Sequence, residues 1–154
     1  MEELKYIVFQ IGEQKYGMNL KYINGIEQDY QIIPVPNAPE AVKGIINLRG
    51  NVIPVYSLKR RFGLEDSTDY PGKSLLITMS SKILLAYEVD EVVAIEEMKK
   101  ENINDMPLVA FNDENIFLEN VLRFGDDIAI TINVDNVLSK AAKEIVNRLV
   151  EDNK

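Results

Sequence analysis

Arg49 carries the most distinctive binding chemistry in this sequence. It lies with Gly50 between two apolar, strand-like runs, 45–48 and 51–56, and Gly44 precedes the first run. The planar guanidinium of Arg49 presents a fork of hydrogen-bond donors that needs acceptors. Gly44 and Gly50 permit a positive φ or the close approach of another backbone. Two interpretations stay open at this point: an internal carbonyl satisfies Arg49, or a partner does.

The usual catalytic and metal-binding side chains are absent from the sequence. With His 0 and Cys 0, it lacks the common zinc and copper ligands, the Ser-His and Cys-His nucleophile pairs and the commonest general base. The candidate carboxylates lie at predicted turns or strand ends, where solvated charge is the usual state: Asp90, Glu91, Glu96, Glu97, Asp126 and Asp127. The sequence therefore predicts no enzyme, no cofactor and no metal site.

Length and charge narrow the class of protein further. The 154 residues, 46% of them hydrophobic, fit one compact module. Twenty-five acidic residues against 17 basic ones give a formal charge of -8, which repels a phosphate backbone and opposes a nucleic-acid-binding role. The lack of Cys, of a basic N-terminal run and of an apolar stretch near 18 residues predicts a cytoplasmic protein without direct membrane insertion.

The dominant hydrophobic period is two, which is typical of half-buried strands. Runs 6–11 and 15–20 flank a turn at Gly12 and form a predicted hairpin. The first run is apolar on both faces, so we expect it to be shared by two cores. Further strands are predicted at 45–48, 51–56, 74–79, 82–89, 92–95, 116–124 and 128–132.

Prolines and helical patterns complete the prediction of elements. Pro54 cannot donate to a sheet ladder, which predicts an edge strand or a bulge there. Three prolines between 34 and 39 indicate an irregular connector. A brief helix is predicted at 57–62, and an amphipathic helix that packs on the β structure is predicted at 136–152.

Residues 41–58 resemble the signature of the CheW-like domain family of bacterial chemotaxis coupling proteins. That signature has the core Gly-Val/Ile-x-Asn-Leu-Arg-Gly-x-x-x-Pro-Val/Ile, and this sequence has Gly-Ile-Ile-Asn-Leu-Arg-Gly-Asn-Val-Ile-Pro-Val from Gly44 to Val55. The resemblance continues through 36–40, 61–64, 89–92 and 125–138, so it covers nearly the whole chain.

The resemblance implies an all-β fold. It consists of two packed five-stranded SH3-like barrels with partly exchanged strands, so that neither barrel is one contiguous segment. The single domain would span 1–154, with a linker near 57–73 and the predicted C-terminal amphipathic helix.

The resemblance also implies a non-catalytic adaptor that links the cytoplasmic tips of chemoreceptors to the CheA histidine kinase. Such an adaptor binds the kinase's own CheW-like regulatory domain and is recruited from the cytoplasm to membrane-associated receptor arrays. By motif position, the kinase-binding residues are Ile7, Leu20 and Ile23. The receptor-binding residues, at a groove between the barrels, are Gly44, Arg49 and Leu75.

Four positions depart from the family pattern, and one other kind of function stays open. Gly25 replaces a usual Glu, although Glu27 follows on the same strand face; Ala86 and Glu88 replace a usual Gly and an apolar residue; Asn120 replaces a usual Gly. The alternative function is a small-ligand-binding β-barrel, which needs an enclosed apolar cavity.

Overall fold

Strands dominate the chain and form two sheets. The computed structural model describes residues 4–64, 73–80, 83–106 and 117–137. In these ranges sheet 1 has six strands in the order β8-β1-β2-β11-β10-β9, and sheet 2 has five in the order β3-β6-β7-β5-β4. The predicted β-rich fold is confirmed, but the first unit has six strands rather than five. The strands are β1 Lys5–Ile11, β2 Gln14–Asn19, β3 Ile23–Glu27, β4 Val42–Leu48, β5 Asn51–Ser57, β6 Ser74–Ser80, β7 Ile83–Val89, β8 Glu91–Glu97, β9 Ile103–Asp105, β10 Leu118–Phe124 and β11 Asp127–Ile132.

Strand β9 was not predicted from the sequence, and β3 entered the prediction only where Gly25 and Glu27 were placed on one strand face. Both contain Asn, and β3 also contains Gly25, residue types that are depleted in strands. Tertiary pairing forms them: β3 pairs with β6, and β9 pairs with β10. The sixth strand of sheet 1, β9, therefore forms because it pairs with β10 and not because its own residues favour a strand.

Strand β1 contributes to two cores, as its two apolar faces predicted. Ile7, Phe9 and Ile11 lie in a central core between the two sheets. Tyr6 and Val8 lie on the opposite face, in a smaller sheet 1 core with Leu122 and Ala129. Alternation across a strand explains the division, because successive side chains point to opposite faces.

Sheet 2 repeats this arrangement. Leu85 and Tyr87 of β7 face the central core, whereas Ala86 faces a separate sheet 2 core that includes Ile53 and Leu75. The molecule thus has one central core between the two sheets and one smaller core within each sheet.

Each sheet curls so that its two edges approach each other. The edge strands of sheet 1, β8 and β9, are joined by residues 98–102 alone. A flat sheet of six strands would separate its edges by about 24 Å, more than the roughly 21 Å that this connection can span. In sheet 2, Arg49 beyond edge strand β4 lies 3.7 Å from Glu27 of the opposite edge strand β3.

The path of the chain differs in part from the prediction. Sheet 1 combines strands from 5–19 with strands from 91–132, whereas sheet 2 is one contiguous stretch, 23–89. The expectation that neither unit is contiguous is therefore wrong for the second. The predicted linker near 57–73 joins β5 to β6 of the same sheet, so it does not separate the two units; its residues 65–72 lie outside the described ranges.

The helical predictions have different outcomes. The brief helix is present as α1, Leu58–Arg61, and the Ser57 side chain caps it by accepting from the Arg60 N–H at 3.1 Å. The predicted helix 136–152 is not shown, because Asn136 and Val137 lie in a turn and a bend and the rest falls outside the described residues.

Pro54 lies within β5, which is an interior strand, so of the two predicted alternatives, an edge strand or a bulge, the edge is not found. Among the described residues, the ladder between β5 and β7 begins at Val55, so the missing N–H of Pro54 falls just outside that ladder. A register shift between Val42 and Gly44 of β4 lies close by. The sheet thus accommodates the proline at the end of a ladder.

Candidate interaction surfaces

Arg49 occupies a strained position in a tight hairpin. Leu48 of β4 pairs with Asn51 of β5, which leaves Arg49 and Gly50 as a two-residue turn. Both have positive φ, 53° and 87°, as the hairpin turn with two left-handed residues requires. The Asn47 side chain accepts from the Gly50 N–H at 3.1 Å. A left-handed conformation costs a residue with a side chain roughly 1–2 kcal/mol, so the turn holds Arg49 at some cost in stability.

The side chain of Arg49 points into solvent. It is 81% exposed, and its guanidinium makes a 3.7 Å contact to Glu27. Within the described ranges, no internal acceptor receives a hydrogen bond from Arg49. An exposed ion pair of this length contributes at most about 1 kcal/mol. In the described part of the chain no internal carbonyl satisfies the donors of Arg49, which favours the interpretation that a partner supplies the acceptors.

Gly44 has an internal role that its neighbours explain. Its φ is 150°, and a Cβ added there would lie 2.1 Å from the Ile33 carbonyl oxygen. Ile33, in the proline-containing connector, exchanges two backbone hydrogen bonds with Ile45, at 2.8 and 2.9 Å. Gly44 thus allows the connector to lie directly on β4.

Leu75 lies in the same sheet but beneath the surface. Its side chain is fully buried in the sheet 2 core. In the β3–β6 ladder, Leu75 pairs with Glu27, the residue that contacts Arg49. The predicted receptor-binding residues therefore all belong to sheet 2 or its β4–β5 turn, with Arg49 exposed and Gly44 and Leu75 buried.

Two of the predicted kinase-binding residues, Leu20 and Ile23, lie where the chain crosses from sheet 1 to sheet 2, and the third, Ile7, lies in β1. Ile7 is fully buried in the central core. Leu20 begins a short 3-10 helix, Leu20–Tyr22, which is capped by Asn19 and directly precedes β3. Ile23 follows that helix and packs partly buried against the central core. Leu20 and Ile23 retain some exposed surface, whereas Ile7 can act only through the residues around it.

A buried charged cluster around Glu88 was not predicted from the sequence. The Glu88 carboxylate accepts a hydrogen bond from Tyr30 Oη at 2.8 Å and pairs with Lys43 Nζ at 2.7 Å and Lys73 Nζ at 3.4 Å. Glu88 is almost completely buried, and buried charge is stable only when it is paired and hydrogen-bonded. No sequence signal predicted the cluster, because its members come from four separate parts of the chain.

Asp90 forms a second buried cluster that joins the two sheets. Its Oδ2 accepts from the Gly12 N–H of the β1–β2 turn at 2.8 Å and pairs with Lys59 Nζ of α1 at 3.0 Å. The position of Asp90 in the sequence predicted a solvated carboxylate, but its side chain is only 2% exposed. Its role is to fix the first hairpin to the β7–β8 junction.

The described residues contain no arrangement typical of a metal site. No group of three His, Cys, Asp or Glu residues that could hold a metal ion occurs among them. In the same ranges, no helix is both long and apolar enough to span a bilayer.

Comparison with known proteins identifies the family. The family model described as "CheW-like domain" matches residues 5–142. The chain belongs to the CheW-like domain family. This CheW-like chain is 26% identical over 152 residues to "Chemotaxis protein CheW" of Treponema pallidum, covering 95% of this chain and 89% of the relative. It is 27% identical over 139 residues to the protein of the same description from Helicobacter pylori, covering 90% and 84%.

A solved structure supports the same assignment. The crystal structure of the scaffolding protein TtCheW from Thermoanaerobacter tengcongensis is similar to this CheW-like chain with a TM-score of 0.84 and 28% identity. The similarity covers 93% of this chain and 97% of that one. The family resemblance inferred from the signature around Arg49 is confirmed.

The departures from the family pattern have local explanations in this CheW-like chain. Glu88 is accommodated by the buried cluster, and Ala86 fits into the sheet 2 core. Asn120 lies at a register shift of β10, where its N–H donates to Thr131 Oγ1 at 2.7 Å. Gly25 has an ordinary φ and nothing within 4 Å of an added Cβ, so a side chain would fit there.

Proposed function

We propose that this CheW-like chain is a non-catalytic adaptor that couples chemoreceptor cytoplasmic tips to the CheA histidine kinase. Family membership and relatives named chemotaxis protein CheW support this proposal over a small-ligand-binding barrel. The chain works in the cytoplasm and at membrane-associated receptor arrays. It holds partners through surface contacts and carries out no bond-making step.

The observation that carries the proposal is the exposed, strained conformation of Arg49. A fold that places an arginine at positive φ, with a 3.7 Å contact to Glu27 and an 81% exposed side chain, leaves a planar donor fork available to another protein. Arginine is enriched at the residues that dominate protein interfaces. We assign Arg49 as the receptor contact, with Gly44 and Leu75 holding the β4–β5 hairpin and its neighbours in place.

The kinase side of the proposal rests on the crossover between the sheets. Leu20, which begins a short helix capped by Asn19, and Ile23, which directly follows that helix, present partly exposed apolar surface. Fixed apolar side chains of this kind bind a partner with little loss of conformational entropy. Ile7 supports them from the central core.

The receptor contact can be tested by separating binding from stability. We expect Arg49→Ala and Arg49→Glu to reduce co-sedimentation with receptor signalling domains about tenfold or more, while capture of the kinase regulatory domain stays unchanged. Arg49→Asn should lose receptor binding equally and fold at least as stably, because Asn tolerates a left-handed conformation better than Arg. Arg123→Ala, at another exposed arginine, is the matched control.

Thermal unfolding distinguishes the two interpretations of an Arg49 effect. A large drop in the unfolding temperature of Arg49→Asn would make Arg49 a structural residue. Normal receptor binding by a folded Arg49→Glu variant would exclude the receptor contact.

The kinase contact is tested by Leu20→Asp and Ile23→Asp in pull-downs with the CheA regulatory domain. Both changes place a charge in an apolar contact, so we expect capture to weaken by about tenfold or more. Leu20→Asp is the cleaner probe, because Leu20 does not pack in the central core cluster. Undiminished capture by both folded variants would exclude this kinase surface.

A further inference from the structure

Asn24 and Gly25 form the only Asn-Gly pair in this sequence, and they lie in the middle of β3. Asparagine is a thermally labile residue, because the backbone nitrogen of the next residue can attack its side-chain carbonyl carbon and close a cyclic imide. A side chain on that next residue hinders the attack, whereas glycine has no Cβ and leaves its nitrogen accessible. The pair therefore joins the residue that reacts to the neighbour that hinders it least.

The ladder between β3 and β6 leaves Asn24 out of its regular pairing. Ile23 pairs with Thr78 and Gly25 pairs with Ile77, so Asn24 is an extra residue in β3. The extra residue of a bulge stays outside the ladder, and the Asn24 side chain is exposed. Among the described residues, nothing lies within 4 Å of a Cβ added at Gly25. The space beside the Gly25 backbone is therefore free.

The position of β3 in its sheet also allows the backbone to move. Within the described ranges, β3 has β6 as its ladder partner on one side and no strand on the other. A glycine inside a strand weakens it, and weakly held segments open locally at a smaller cost than global unfolding. Imide closure requires this segment to leave the extended conformation, and an edge strand with a bulge can do so while the rest of sheet 2 stays folded.

We propose that Asn24 of the folded chain is a site of spontaneous deamidation through an imide with the Gly25 nitrogen. The bond between Gly25 N and Asn24 Cγ forms, the Cγ–Nδ2 bond breaks, and the Gly25 amide proton leaves with the side-chain amine as ammonia. Water then opens the imide at either of its carbonyl carbons. Opening at Cγ gives aspartate, and opening at the main-chain carbonyl carbon gives isoaspartate.

The two products affect β3 differently. Aspartate keeps the main chain and adds a negative charge to the formal charge of -8. Isoaspartate adds the same charge but routes the main chain through Cβ and Cγ, which inserts an extra backbone atom into β3. Strand pairing depends on register, so isoaspartate displaces Glu27 from Leu75, its ladder partner. Because Glu27 contacts Arg49, the damage reaches the receptor contact; this last step rests on the proposed function.

The modification is tested by incubating the whole folded chain at mildly alkaline pH and mapping its peptides by mass spectrometry. We expect the peptide with Asn24 to gain about 1 Da as the amide becomes a carboxylate. Asn51 is the internal control, because it is exposed on the same sheet but is followed by Val52, and it should stay unchanged. Equal conversion at Asn24 and Asn51 would overturn the proposal.

Gly25→Ala is the matched variant, because it keeps Asn24 and the added Cβ fits. We expect it to slow conversion at Asn24 severalfold, and an equal rate in the wild type would contradict the role of Gly25. The same incubation in urea measures the reaction of the unfolded chain. Conversion in urea with none in buffer would also overturn the proposal, because the fold would then protect Asn24.

The effect of isoaspartate is tested on the aged fraction that ion-exchange chromatography separates by its added charge. Asn24→Asp is the control, because it has the same charge and an intact main chain. We expect the aged fraction to unfold at a lower temperature and to co-sediment less with receptor signalling domains than Asn24→Asp does. Equal values for both would overturn the register shift. Failure of the unmodified chain to bind receptors would overturn the proposed function but not the deamidation, which is measured by mass alone.

Discussion

At the scale of single residues, the signature around Arg49 combines two opposite uses of backbone conformation. Gly44 has a positive φ because the connector carbonyl of Ile33 occupies the space that a Cβ would need. Arg49 has a positive φ although it carries a side chain, and that side chain leaves the fold. Gly44 therefore allows the connector to pack on the sheet, and Arg49 presents its guanidinium to solvent, where we propose that it contacts the receptor.

Gly44→Ala is expected to destabilise the fold strongly. The added Cβ would lie 2.1 Å from the Ile33 oxygen, and φ would be 150°. We expect a loss of about 3 kcal/mol or more in the free energy of unfolding, measured by denaturant titration. Gly25→Ala is the matched control, because nothing lies within 4 Å of its added Cβ, and it should change stability by about 0.5 kcal/mol or less. Similar losses in both variants would exclude the steric account.

At the scale of elements, Glu88 attaches the connector to sheet 2. Through one carboxylate, β7 holds Tyr30 of the connector, Lys43 of β4 and Lys73 ahead of β6. The same connector carries Ile33, whose backbone bonds to β4 beside Gly44. The cluster therefore fixes the elements that lead into the Arg49 hairpin.

A double-mutant cycle between Glu88 and Lys43 tests this attachment. Glu88→Leu alone leaves partly buried lysine charge without its carboxylate, so we expect a loss of about 3 kcal/mol. Adding Lys43→Met should recover part of that loss and give a coupling energy of about 1–3 kcal/mol. Chemical denaturation of the four proteins supplies the values. Strict additivity of the two changes would show that the pair is not coupled.

At the scale of the whole molecule, the two sheets share one central core that contains paired tyrosines. Tyr56 and Tyr87 are fully buried there and meet edge to face, with ring centroids 5.9 Å apart. Burial raises the pKa of Tyr87 far above its usual range, and Tyr56 and Asp135 raise it further. Asp90 also joins the sheets, so we expect them to unfold together.

Alkaline pH should therefore destabilise the whole fold. In the unfolded chain Tyr87 ionises near its ordinary pKa of about 10, whereas the folded chain keeps the proton. The unfolded state then binds fewer protons, so the free energy of unfolding falls as pH rises above about 10. Denaturant titrations between pH 8 and 11 should show this fall, and Tyr87→Phe should make it shallower. An equal slope in the wild type and Tyr87→Phe would contradict the role of Tyr87.

The sequence by itself determined the strand-rich class, the division of β1 between two cores and the family. These features depend on local information: alternation along a strand follows from backbone geometry, and the Gly44–Val55 signature is contiguous in the chain. The same local information correctly indicated that Gly44 and Gly50 could adopt a positive φ, and both do.

Only the tertiary structure decided which of the candidate site residues reach the surface. The sequence treated Ile7 and Arg49 alike as candidate contacts, yet one is completely buried and the other is 81% exposed. Exposure depends on which strands pair and which edge lies open, and that is a non-local property. For the same reason the sequence could not predict the Glu88 cluster or the short strand β9: each owes its position to residues far away along the chain.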